Sequence, residues 1–246
     1  MGLASTAGAR IPHVAGDPFY GLVLLLLTGR NGITTDSSIY NRGLATVGSP
    51  AIDSAKTLNG LPTYRVPSGS RIDLTVSDAW VAGNLAAGEW CWEFYFNPDN
   101  VPTTLSGRMW SFGQFTVSWE DTGRLTWAAS NIGSSSYTVQ SALGAVPANS
   151  WRHVCLIRDN TTNPLFTVLR LFLDGVQVDG IGGFNKTDAV GGVGFQQVLG
   201  YGSDGTPGAY GGMRLTAGTR RYMTNAEGGA VGTFTPSTYP FWAPPP

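Results

Sequence analysis

Histidine, lysine and cysteine are nearly missing from this chain of 246 residues: it has two His, two Cys, and only Lys56 and Lys186 among its 15 basic residues. Two histidines leave little material for a zinc site or an imidazole-based catalytic centre, so no metal or other cofactor is expected. Two cysteines do not make a disulfide framework. Cys91 and Cys155 each lie inside a predicted strand, where a thiol behaves as a small buried hydrophobe, and they could bridge only if those strands are neighbours. Charged residues make up 13% of the chain, about half the roughly 25% of average domains. With a net charge of −1 and no basic run, nothing pulls toward nucleic acid. The apolar run "GLVLLLL" at 21–27 falls far short of the roughly 20 residues that cross a bilayer. It has no small-residue cleavage pattern behind it and reads as a buried strand, with no membrane expected. A serine-nucleophile elbow, a phosphate loop and a zinc helix motif are also missing.

What is abundant is turn and core material: 34 Gly, 15 Pro and 42% hydrophobic residues, a mix that suits short strands joined by turns. "QFTVSWEDTGRLTWAAS" reads as a hairpin with Phe115, Val117, Trp119, Leu125, Trp127 and Ala129 pointing inward. "LRLFLDGVQVDG" reads as another, with Asp174-Gly175 as its type I′ turn. Its alternation places Leu169, Leu171, Leu173, Val176 and Val178 on the buried face, and Arg170, Phe172 and Gln177 on the other. Residues 1–20 lack any periodicity and read as an N-terminal arm; 21–242 form one domain, and 243–246 a Pro-rich tail.

The segment "EWCWEFYF" at 89–96 poses the main chemical question. On a strand, Trp90, Trp92, Phe94 and Phe96 share one face, which must be core, and Glu89, Cys91 and Glu93 share the other. Carboxylates at alternate strand positions resemble the Glu-Asp-Glu arrangement of laminarinase-type glucanases. Retaining glycosidases need carboxyls about 5–5.5 Å apart and inverting ones about 6.5–9.5 Å. Positions four apart on a strand are separated by about 13 Å of backbone. The central acid is replaced by Cys91, which cannot act as a charged bridge between the two glutamates. The expectation is a chain without hydrolytic activity, with no catalytic residues, and with His153 as a packed strand residue.

Further along, "WRHVCLIRD" followed by "LRLFLDGVQV" resembles the strand pair of laminin-G-like, concanavalin-A-like domains, and "EWCWEFYFNPD" resembles their preceding strand. "DPFYGLVLLLLTGRNGITTDSS" and "MRLTAGTRRYMTNAEGGAVGTFTPSTYPF" are similar to the opening and closing segments of one branch, found in tailed-phage virions. Where that branch often carries His and Asp after the leucines, this chain has Thr28 and Gly29. The resemblance implies an all-β, concanavalin-A-like jelly-roll sandwich of two antiparallel sheets. It further implies a non-enzymatic virion structural protein, assembled in the host cytoplasm, that decorates or cements the head. Its partners would be the major capsid protein or tail proteins, in a homo-oligomer or multi-copy array, with arm and tail lying across neighbouring subunits. The alternative is a tail or fibre component that binds host-surface carbohydrate. In that case "SNIGSSSYTVQ" and "GYGSDGTPGAYGG" would be rim loops, with Tyr137, Tyr201, Asp204 and Tyr210 supplying aromatic plates and polar groups.

Overall fold

The computed structural model describes residues 19, 22–29, 32–38, 40–74, 88–101, 107–112, 115–132, 135–160, 166–185, 196–200, 207–219, 221–222, 233–236 and 241. His13, Tyr201, Asp204 and the 243–246 tail lie outside them, as does the arm apart from Phe19. The strands are β1 (Val23–Leu27), β2 (Leu44–Val47), β3 (Ala51–Leu58), β4 (Leu61–Val66), β5 (Arg71–Leu74), β6 (Trp90–Pro98), β7 (Gly107–Phe112) and β8 (Phe115–Trp119). They continue with β9 (Leu125–Ile132), β10 (Ser135–Gln140), β11 (Arg152–Asp159), β12 (Phe166–Leu173), β13 (Val176–Asn185), β14 (Gln196–Leu199) and β15 (Gly208–Ala217).

Two antiparallel sheets stack face to face. An eight-stranded sheet runs β13-β12-β11-β6-β15-β4-β3 with β1 also on β15, and a seven-stranded sheet runs β10-β9-β8-β7-β14-β5-β2. This is the jelly-roll sandwich expected from the sequence. Between the sheets the alternating apolar residues meet: Trp90, Trp92, Phe94 and Phe96 from β6 pack with Trp110, Phe115, Trp119 and Trp127. Their rings meet edge-on or tilted, as at Trp90–Phe115 (5.3 Å, 77°) and Phe96–Trp119 (5.8 Å, 79°), the arrangement that ring quadrupoles favour.

The loop after β1 is organised by Asp36, which is 2% exposed. Its carboxylate accepts the backbone N–H groups of Leu26, Ser38 and Arg42, each at 2.9 Å, and the Ser38 hydroxyl at 2.8 Å. Asp36 therefore clasps β1 to its loop. Thr28 is buried and donates its N–H to the Tyr64 hydroxyl at 3.1 Å.

The Asp174-Gly175 turn has the expected positive φ values, 50° and 80°. The inward placement of Val176 and Val178 is corrected: they are 47% and 37% exposed. The ladder slips between Leu171 and Phe172, so that Phe172 opposes Gln177 while Leu171 opposes Asp179, and Val178 falls in the bulge of an edge strand. Val176 sits at the hairpin tip, where it bridges to Thr233.

Candidate functional site

The outer face of the eight-stranded sheet is covered over β6, β11 and β15. Glu93 projects from the middle of β6 toward that face, directly opposite Arg214 on β15 and Cys155 on β11. A lone carboxylate buried on a sheet face would be costly, so the neighbours supply its partners. Arg214 donates from Nε (2.8 Å) and Nη2 (2.6 Å) to Oε1. His153 Nε2 lies 3.0 Å from Oε2, and the Tyr222 hydroxyl donates to the same oxygen at 2.5 Å. Arg221 Nε stands 3.8 Å from Oε1. Glu93 is 0% exposed and His153 1%.

The chain segments around β15 roof this cluster. Phe241 lies over the Arg214 guanidinium at 4.7 Å from the ring centroid and accepts Nη1 on its carbonyl at 3.0 Å. Phe19 lies over Arg221 at 5.1 Å. Tyr222 and Phe234 stack at 4.0 Å and 4°, above a second apolar cluster of Cys91, Cys155, Ile157 and Phe172. The backbone N–H of Phe234 donates to the Gly175 carbonyl at 2.8 Å, so the closing segment is pinned to the tip of the β12–β13 hairpin.

This electrostatic setting is opposite to that of a general acid. Burial alone would push the Glu93 carboxyl up, but the Arg214 charge, the His153 hydrogen bond and charge, and the Arg221 charge outweigh it and hold the group at about 2. A glycosidase acid needs a carboxyl raised toward the working pH. The same burial and the Glu93 charge push the Tyr222 hydroxyl well above its ordinary value. Glu89, the other half of the candidate pair, lies partly exposed just before β6 and accepts the Asn160 N–H at 3.2 Å. Among the described residues, no group of three or more His, Cys, Asp and Glu is placed to hold a metal ion.

Of the sugar-contact candidates, Tyr137 and Tyr210 lie among the described residues. Tyr210 lies inside β15 and is 0% exposed; its ring fills the space beside Phe96 (4.9 Å) and Phe94 (6.4 Å). It is core, not an exposed plate, and this corrects the rim-loop reading of "GAYGG". Tyr137 lies on β10 and packs against the main core, so "SSYTVQ" is a strand as well. Tyr201 and Asp204 fall outside the described residues.

From the sequence, Arg221 and Tyr222 stand out only as the Arg-Tyr pair of the closing segment, and Arg214 has no assigned role. The available signal was Arg214 itself, a cation in the small and apolar run "GAYGGMRLTA", which if buried needs an anion. Sequence spacing alone does not say that the anion lies 121 positions away.

This fold and its motifs agree with a family-level match: a laminin-G-type family model, described as concanavalin A-like lectin/glucanases superfamily, matches residues 71–220. The chain belongs to that superfamily. Curated protein sequences include no match to it. Among solved structures, this concanavalin-A-like chain is similar to the binding domain of Paraclostridial Mosquitocidal Protein 1, with 13% identity over 85% of this chain and 51% of that one, at a TM-score of 0.60. It is also similar to the botulinum neurotoxin serotype G binding domain (12% identity, 83% and 49% coverage, TM-score 0.58). A third similar structure is that of botulinum neurotoxin type C, whose cell entry is dependent upon interaction with two ganglioside molecules (13% identity, 80% and 48% coverage, TM-score 0.58). At these identities the likeness is one of fold, and the chain spans about half the length of each of these structures.

Proposed function

We propose that this chain is a non-enzymatic binding module of a tailed-bacteriophage virion, most simply a decoration or cement protein that docks on neighbouring capsid subunits. The observation that carries the non-enzymatic part is the state of Glu93. The acid on the central strand is sealed, held at about 2 and engaged by Arg214, His153 and Tyr222, so it serves cohesion in place of chemistry. The virion assignment rests on the order of motifs from "DPFYGLVLLLL" to "FTPSTYPF" and on the arm-like composition of residues 1–20.

A second reading, a tail or fibre component that binds host-surface carbohydrate, is favoured by one comparison. A protein of similar fold interacts with ganglioside molecules. In this chain such a site would have to use groups other than Tyr210.

The two readings separate in one experiment. Purified full-length chain and a form lacking residues 2–16 are added to particles devoid of the protein, and both are applied to a glycan array. Docking through the arm predicts that only the full-length chain occupies particles and that neither form retains glycan. Retention of the same glycans by both forms, with no arm-dependent particle binding, would replace the capsid reading with the carbohydrate one.

A further inference from the structure

β2 and β3 are end strands of the two sheets, β2 beside β5 and β3 beside β4, and residues 48–50 join them. From Gly43 to Ile52 the chain reads GLATVGSPAI and carries no charge, yet Thr46, Val47, Ser49, Ala51 and Ile52 are exposed. Edge strands are ordinarily guarded by charges or bulges that keep other chains away. β3 has such guards beyond Ile52, in Asp53, Lys56 and a slipped ladder. β2 has only its length of four residues: it pairs with β5 in unbroken register and holds no charged residue.

The loop that leads into this run presents Tyr40. Thr35 and Gly43 are joined by a bridge, and the two charged residues between them, Asp36 and Arg42, are buried. The Arg42 guanidinium lies 4.5 Å from the centroid of the Tyr40 ring, and the Tyr40 N–H donates to the Ser38 hydroxyl at 3.2 Å. The ring is therefore held in place while 39% exposed. A side chain ordered before contact loses little entropy when it is buried, and tyrosine is one of the residue types that anchor interfaces. Three of the nine exposed large hydrophobic side chains among the described residues, Tyr40, Val47 and Ile52, thus fall within 40–52, a stretch that exposes no charge. Single exposed hydrophobic residues need no explanation, but such a concentration marks a contact surface.

We propose that residues 40–52 form a docking surface for a neighbouring virion subunit whose facing surface is itself uncharged. This rests on the docking reading given above and names a second contact beside the arm. The Tyr40 ring is the anchor, and Val47 and Ile52 supply the apolar contacts around it. A charged partner surface would lose its water here and find no counter-charge, so the chemistry of 40–52 selects a neutral one. Because arm and edge belong to one chain, each raises the effective concentration of the other at the particle, and loss of either weakens the whole attachment.

The test measures binding of the purified full chain to particles devoid of the protein. Wild-type affinity should change less than about threefold between about 0.05 and 0.5 M salt, because no exposed ion pair contributes. Val47→Lys, which sets a charge on the edge, and Tyr40→Ser should each weaken binding about tenfold or more. Their melting temperatures should stay close to that of the wild type, since both side chains are exposed. Tyr40→Phe should bind within about threefold of wild type, and so should Thr138→Lys, which changes an exposed position on β10 far along the sheet from β2. Wild-type binding by Val47→Lys and Tyr40→Ser, with loss on removal of residues 2–16, would overturn this surface and leave docking through the arm standing. Steep loss of wild-type binding with salt, or an equal loss in Thr138→Lys, would also overturn it. Absence of wild-type binding at either salt would overturn both this surface and the docking reading.

Discussion

Glu93 shows how one residue type at one strand position can carry opposite meanings. In a strand sequence it is half of a candidate catalytic pair; in the folded chain it is the anion that lets Arg214 and His153 be buried. Removing its charge leaves Arg214 uncompensated in a dry site, so Glu93→Gln should cost on the order of 3–5 kcal/mol in urea unfolding at neutral pH. The pH dependence has a definite sign. Its folded-state value is depressed from the ordinary 4.5 to about 2. Its contribution is thus fully present above about 4.5 and is lost as pH falls toward about 2. That shift corresponds to on the order of 3 kcal/mol. Unfolding curves between these pH values should show the wild type losing stability faster than Glu93→Gln. Parallel curves would show that Glu93 titrates normally. On the opposite face of the same strand, Trp92→Ala should cost about 3–5 kcal/mol, as large-to-small changes in a packed core do. A near-neutral result would contradict the placement of Trp92 between the sheets.

At the scale of elements, legibility followed side-chain contrast. β6, β8, β9 and β12 carry large apolar residues at alternate positions, and their inward faces were readable from period two alone. β3, with the sequence AIDSAKTL, is an edge strand with mostly exposed residues and a slipped ladder, so there was no contrast to read. β10 and β15 were hidden in Ser- and Gly-rich sequence. In β15 the small residues answer a packing demand: a Cβ at Gly211 would stand 2.5 Å from Leu58 and 2.8 Å from Tyr95. Glycine inside a strand marks such close approach. The cluster around Glu93 was unreadable for a different reason, since it joins β6, β11, β15 and the closing segment through contacts far apart in sequence. The hairpin tip offers a controlled test of that segment. At Gly175 a Cβ would fall 1.9 Å from the Phe234 carbonyl oxygen, whereas at Gly60, which also has a positive φ, nothing lies within 4 Å. Gly60→Ala should therefore cost only the left-handed backbone term of about 1–2 kcal/mol. Gly175→Ala should cost more and expose residues 233–236 to limited proteolysis. Equal costs at the two turns would mean that the closing segment does not press on the hairpin.

For the whole molecule, the two sheets differ in how they meet their surroundings. The eight-stranded sheet is covered on its outer side by Phe234, Phe241 and Tyr222. The seven-stranded sheet keeps outward residues such as Thr116, Ser118, Thr126 and Thr138 at least partly exposed. Stability thus resides in the sandwich and its roof, and deletion of residues 2–16 should leave the melting temperature almost unchanged; failure to fold would show that the arm belongs to the core. As the non-enzymatic module proposed above, this member of a superfamily of lectins and glucanases should bind without cleaving. The most direct test is the release of reducing ends from a panel of β-glucans by the purified chain, beside Glu89→Gln and Glu93→Gln. No release above buffer is expected from any of the three proteins. Release by the wild type that either substitution abolishes would contradict it, and would mean that the roof over Glu93 opens to admit a sugar chain.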